Sequence, residues 1–229
     1  MKAIGIVGGI GPESTIDYYK LLLKRAPELG ARSAPVIVIN SVDYQRMYDL
    51  VAAGDPQALA KAFADEVRVL ERAGAGVGFI AANTPHMVFD AVQAQVSLPL
   101  VSIVTATADA AGAQGLKRLG LLGTRFTMQG RFFPDAFVAR GMEVVAPDAA
   151  DLEYVHDKYV NELVPGTFLD ETRRGLTAVM ERLRTRAAVD AVILGGTELP
   201  LILRDVPFDL PLLDTTRIHV DAVLRRSLQ

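Results

Sequence analysis

Three pairs of segments recur along this 229-residue chain at almost one spacing. IGIVGGIGP at Ile4–Pro12 lines up with LGLLGTRFT at Leu119–Thr127, an offset of 115. GFIAANTPH at Gly78–His86 has the same build as VILGGTELP at Val192–Pro200, with Ala82 and Gly196 offset by 114. LPLVSI from Leu98 lines up with LPLLDT from Leu210, an offset of 112. One such match is weak, but three within three residues of one spacing describe a duplication. Each segment starts as an apolar run of strand length. A chain built this way is restricted to two similar halves.

The runs between these segments identify the fold class. Ala3–Val7, Pro35–Asn40, Val77–Ala81, Leu98–Val104, Arg118–Leu122, Glu143–Ala146, Ala191–Leu194 and Leu210–Leu213 read as strands. Ser14–Arg25, Pro56–Ala73, Met87–Gln95, Arg131–Arg140, Asp151–Leu163, Thr172–Thr185 and Thr215–Leu228 carry helical spacing. Apolar strands alternating with helices predict an α/β protein with parallel sheets. The expected domains are residues 1–98 with 208–229, and residues 99–207. The last strand and helix are expected to pack back on the first half.

Ligands of parallel sheets sit at the carboxyl ends of strands. Two facing strand ends would put Asn83 and Thr84 on one side of a cleft, and Thr197 and Glu198 on the other. GGIGP (Gly8–Pro12) is not the dinucleotide fingerprint, because Ser14 stands where the third glycine belongs. Its glycines, Gly9 and Gly11, fit a backbone site for a carboxylate at a helix start, or only a tight turn. Asn83 and Thr84 fit ligand contacts or a cap for the following helix. Arg46 and, in the second half, Thr124 beside Arg125 are further candidates for carboxylate binding. His86 has a side chain suited to base catalysis near neutrality, or is a helix-start residue satisfied by backbone.

Other classes are disfavoured. The net charge of −3 comes from interspersed residues, without the basic clusters of a nucleic-acid footprint. No apolar run reaches the ~18–20 residues of a membrane span. The amino terminus enters a strand directly, without a signal-peptide pattern, so a cytoplasmic protein is expected. The chain has no cysteine, which removes disulfides and thiolate metal sites. His86, His156 and His219 are scattered, so no metal site is expected.

Five stretches together carry a family resemblance: GIVGGIGPEST, AANTPH, LGLLGTRFTM, LGGTELPL and LLDTTRIHV. They span nearly the whole chain, and it resembles the cofactor-independent aspartate/glutamate racemase superfamily. The resemblance implies two pseudo-symmetric α/β domains, a cleft site, often a homodimer, and α-proton transfer on a small amino acid without PLP or metal. It also implies a cysteine before each motif's polar pair, one thiolate taking the α-proton and the other thiol returning one. Those positions are Ala82 and Gly196 here. A basic residue common in the family is matched by Val164. Glu198 and His86 are the only titratable side chains left within the two motifs. The expectations are therefore an isomerase of this family with its thiol chemistry lost, or a silent carboxylate-binding protein on the same fold.

Overall fold

A computed structural model describes all 229 residues. The chain divides into two units, Met1–Ser102 with His219–Gln229, and Ile103–Ile218.

The first unit holds a three-stranded parallel sheet in the order β2-β1-β3, formed by β1 (Ile4–Gly8), β2 (Ile37–Ser41) and β3 (Val77–Ile80). Ile4 pairs with Ile37 on one side and Val77 on the other. β1 and β3 are apolar without alternation because both faces of each are covered. Ile4, Ile6 and Phe79 pack against Tyr18 and Leu22 of α1 (Pro12–Glu28) and Val220 and Val223 of the closing helix. Val7 and Ile80 pack on the other face, with Phe63 and Val67 of α3 (Pro56–Arg72). α2 (Tyr44–Ala52) starts at Asp43, whose carboxylate accepts from Gln45 N–H. Asp55 caps α3 in the same way, ahead of Pro56. After β3 the chain makes a 3-10 turn, Thr84–Val88, and a short helix, α4 (Phe89–Gln93).

The second unit holds a four-stranded parallel sheet, β5-β4-β6-β7. Its strands are β4 (Arg118–Gly123), β5 (Glu143–Val145), β6 (Ala191–Gly195) and β7 (Leu212–Asp214). The helices are α5 (Ile103–Ala113), α6 (Arg125–Gln129), α7 (Phe132–Val138), α8 (Ala149–Lys158), α9 (Asp170–Ala187) and α10 (Leu199–Leu203). α5 and α7 cover the face of Leu119, Leu121 and Ile193, while α8 and α9 cover that of Leu122, Val192 and Leu194. Both sheets thus place the first strand of their half between its second and third. The last helix, α11 (Thr215–Leu228), begins in the second unit. From His219 onward it belongs to the first, where Arg25 donates from Nε to Asp221 at 2.8 Å.

Two expectations are corrected. Leu98–Val104 does not form a strand: only Leu100 bridges Gly78, through Gly78 N–H to Pro99 O and Val101 N–H to Gly78 O, each 2.9 Å. The alanine-rich run that follows favours helix and takes Ile103 and Val104 into α5. The last strand does not join the first half either. β7 pairs with β6, starting from Val192 N–H to Pro211 O at 3.0 Å. This is the counterpart of the Gly78–Pro99 bond, so the duplicated segment keeps its place beside its own half's third strand. The boundaries accordingly fall after Ser102 and Ile218, rather than at 98 and 207.

Candidate functional site

In the first unit the strand-end motifs lie side by side, because β1 and β3 are neighbours and Ala81 N–H donates to Val7 O at 2.9 Å. Gly9 has φ +83°, a conformation that L side chains rarely adopt, and a Cβ there would lie 2.6 Å from Val42 O. Its N–H donates to Thr15 Oγ1 at 2.9 Å. Thr15 and Ser14 hydroxyls in turn donate to Gly11 O at 3.0 and 2.8 Å. GGIGP is therefore a tight turn closed on the first turn of α1. The Gly9 N–H is committed inside it and is not a donor for a carboxylate, which corrects that part of the anion-site reading. Gly11 is the N-cap of α1, without a side-chain cap.

Asn83 occupies the N-cap of the 3-10 turn but makes no capping bond with its side chain, and Thr84 begins the turn. The capping reading of Asn83 does not hold. His86 is buried, with Nδ1–H donating to Ala82 O at 3.0 Å and its ring stacked on Phe89. Burial, reinforced by His219 nearby, pushes its pKa down to about 3. His86 is thus a packed neutral imidazole, not the near-neutral base its residue type allows. His219 accepts from the Tyr18 hydroxyl at 2.9 Å and donates from Nε2 to Val101 O at 2.9 Å. Burial lowers its pKa to about 4.

Arg46 stands apart from these residues. It lies on α2, with its side chain 57 % exposed and 3.3 Å from Glu66. It borders an open groove of about 540 Å³ whose other charged residues are Asp43, Asp49, Lys61 and Asp65. Three carboxylates there oppose a carboxylate ligand, so the structure does not support Arg46 as its anchor.

In the second unit, the ends of β4 and β6 are held together by the Gly123–Gly195 pair. Thr124 and Gly196 follow directly. Thr124 caps α6: its Oγ1 accepts from Thr127 N–H at 3.2 Å and lies 3.2 Å from Thr127 Oγ1. Arg125 N–H donates to His156 Nδ1 at 3.2 Å. Burial and the Arg125 charge lower the pKa of His156. Thr197 and Glu198 are both buried, and Thr197 Oγ1 donates to Glu198 Oε2 at 3.2 Å.

The same carboxylate oxygen accepts a hydrogen bond from the hydroxyl of Tyr159. Tyr159 opens a single π turn, Tyr159–Leu163, inserted after α8 and closed by Val164 N–H to Tyr159 O at 3.0 Å. Such insertions re-aim a helix and are frequent at functional sites. Glu162 braces the turn by accepting from Lys158 and Thr172. Lys158 is the main cause of its lowered pKa. Val164 is buried in the apolar core.

The Tyr159 ring also explains Gly196. A Cβ on Gly196 would stand 2.7 Å from the ring Cζ and 2.8 Å from the hydroxyl oxygen, closer than non-bonded carbons approach. The position of the expected second thiol is filled by a phenol hydrogen-bonded to Glu198. Sequence reasoning missed Tyr159, which lies in none of the repeated motifs. The remaining first-unit position, Ala82, is buried and contributes only a methyl group.

No group of three or more His, Asp or Glu side chains is placed to hold a metal ion. No helix is long and apolar enough to cross a membrane.

Comparison with known proteins agrees with the fold. The broad-specificity amino-acid racemase RacX of Bacillus subtilis (strain 168) is 24 % identical over 225 residues, covering 93 % of this chain and 92 % of that one. A crystal structure of a candidate Asp/Glu racemase from Yersinia pestis is 35 % identical, with a TM-score of 0.88 and 100 % of each chain covered. An aspartate racemase homologue from Pyrococcus horikoshii OT3 is 32 % identical, with a TM-score of 0.84 and the same full coverage. The family model for Asp/Glu/Hydantoin racemases matches residues 7–223. Fold and relatives thus coincide, and the chain belongs to the Asp/Glu/Hydantoin racemase family.

Proposed function

We propose that this chain binds a small carboxylate-bearing molecule of amino-acid type and does not racemise it by the two-thiol route. The observation that carries this reading is the Tyr159 ring in the space a side chain on Gly196 would need. Together with Ala82 and the absence of cysteine, it leaves no thiol at either position the chemistry requires. Hydroxyls cannot substitute alone, because Thr84 and Thr197 are far too weakly acidic to act unaided at neutral pH.

Binding does not depend on those thiols. In the second unit, Thr124 and Thr197 at the ends of β4 and β6 are the hydrogen-bonding groups the reading uses, and in the first unit Asn83 and Thr84 follow the end of β3. Strand carboxyl ends are the usual ligand positions in parallel sheets. The name of the Bacillus relative points to amino acids as the class.

Calorimetry with both enantiomers of aspartate, glutamate and alanine, and with succinate, tests the binding. A chiral assay on the same mixtures tests the chemistry. At least one ligand is expected to bind in the micromolar-to-millimolar range without inversion. Inversion at ~1 s⁻¹ or faster, the ordinary enzyme range, would show that another acid–base pair replaces the thiols, and failure of every one of these ligands to bind overturns the reading.

A further inference from the structure

We propose that β2 and the exposed flank of α1, both in the first unit, form a docking surface for a second copy of this chain, paired antiparallel about a twofold axis.

The surface begins as a pattern in α1. Ile16, Tyr19 and Leu23 recur at helical spacing, yet they are 47 %, 43 % and 36 % exposed. The packed face of the helix is already filled by Tyr18, Leu22 and Ala26. Tyr18 and Arg25 reach α11, through His219 and Asp221. At about 100° per residue, Ile16, Tyr19 and Leu23 fall within about 60° of one another, on the flank turned away from α11. α1 links β1 to its neighbour β2, so that flank overhangs β2.

β2 supplies the rest. It is an outer strand of its sheet. Ile37 packs against the cluster of Tyr18 and Leu22, and Val38 against that of Phe63 and Val67. Ile39, two residues beyond Ile37, therefore faces the α1 side, and it is 42 % exposed. Ile4 N–H donates to Val36 O and Val42 N–H to Gly8 O, both at 2.9 Å, so the even-numbered residues bond to β1. The N–H and C=O groups of Ile37, Ile39 and Ser41 point to the open side. Within IVINS there is neither a charge nor a proline to discourage pairing, the usual protection of an edge strand.

The charges select a second copy as the occupant. Glu13 and Asp17 lie in the N-terminal half of α1, and Lys20 and Lys24 in its C-terminal half. A second α1 laid antiparallel sets Ile16 beside Leu23 of the second copy, and sets each acidic half against the other's basic half. The helix dipoles then oppose as well. The same twofold axis runs β2 antiparallel to its copy, so strands and helices close in one isologous contact. With strands ~4.8 Å apart and α1 over the gap between β1 and β2, the two helix axes come about 10 Å apart, a distance at which helices pack.

Sedimentation equilibrium of the intact protein tests this, from about 1 to 200 µM, a range in which a micromolar dimer changes its population. The expected result is a reversible monomer–dimer equilibrium. Ile39→Lys and Tyr19→Lys, both at exposed positions on different elements, should each raise the dissociation constant about tenfold or more. Lys24→Glu should raise it about three- to tenfold, because symmetry removes two rim pairs at once. Adding Glu13→Lys to Lys24→Glu exchanges the signs and should restore dimerisation, which a general folding defect would not allow. The absence of cysteine gives a second readout. Tyr19→Cys should be joined to its own copy by a short bis-maleimide, whereas Lys61→Cys, 71 % exposed on α3, should not. A monomer throughout the range overturns the proposal. A dimer indifferent to Ile39→Lys and Lys24→Glu also overturns it, since that dimer would use another face.

Discussion

The ring of Tyr159 lies against Gly196 so closely that a Cβ there would be 2.7 Å from Cζ. Restoring the thiol that the family resemblance expects is therefore a packing problem before it is a chemical one. Gly196→Cys should lower stability by ~1–3 kcal/mol, the usual cost of overpacking a core. Tyr159→Ala alone should cost ~3–5 kcal/mol, as large aromatic truncations do. In the double variant the new side chain gains room, so the two costs should fall short of their sum by at least ~1 kcal/mol. Denaturant titrations of the four proteins decide it, and strict additivity would show that the ring yields freely.

Acid should destabilise the first unit through His86 and His219. Their pKa values, about 3 and about 4, lie below the ordinary 6.5. Between those values and 6.5 the unfolded chain binds protons that the folded chain refuses. Stability due to these neutral imidazoles is complete above pH ~6.5 and is lost progressively as pH falls toward their folded values. Each pKa unit is worth about 1.4 kcal/mol per group, so their joint loss by pH ~4.5 is several kcal/mol. Urea midpoints measured from pH 7 to 4.5 should show it, and His86→Gln should flatten the slope by about one proton.

Gly9 and Gly74 make a controlled pair. Their φ angles are +83° and +85°, but a Cβ on Gly9 meets Ser41 Oγ and Val42 O at 2.6 Å, whereas one on Gly74 meets nothing within 4 Å. Gly74→Ala should cost only the left-handed backbone penalty of ~1–2 kcal/mol. Gly9→Ala should cost clearly more, because backbone on β2's exit must also move. Thermal melts of the two variants rank them, and equal shifts would contradict the geometry.

Thr124→Val should weaken the protein before any ligand is added. Its hydroxyl accepts from Thr127 N–H and meets the Thr127 hydroxyl, so its removal loses an N-cap worth ~1 kcal/mol. The change in ligand affinity, measured by calorimetry below the melting range, is expected on top of that loss. A variant with unaltered stability would show that the cap bond contributes nothing.

Much of this was readable in the residues. β1, β3, β4 and β6 are apolar at consecutive positions because helices cover both faces, and that signal survives without an alignment. The internal repeat is written in the same strands. Leu98–Val104 misled because its strand pairing shrinks to a single bridge before α5 claims the rest. The partner of Leu212 was not legible either, since an apolar LPLL run states that it is a strand but not which neighbour it joins.

Within the site, Glu198 was visible as a carboxylate beside a strand end. Tyr159 was not, because nothing in one of six tyrosines marks it for the space of a glycine 37 positions away. Only the π turn aims it there. The altered acidity of His86 was hidden for the same reason: burial and His219, from the far end of the chain, set it.

The Tyr159–Gly196 contact also bears on chemical durability. A thiolate at that strand end would be open to alkylation and to stepwise oxidation as far as sulfonic acid. A phenol on a carboxylate has no such ladder to climb. Iodoacetamide or peroxide at doses that silence a cysteine-dependent relative should find nothing at this position to react with.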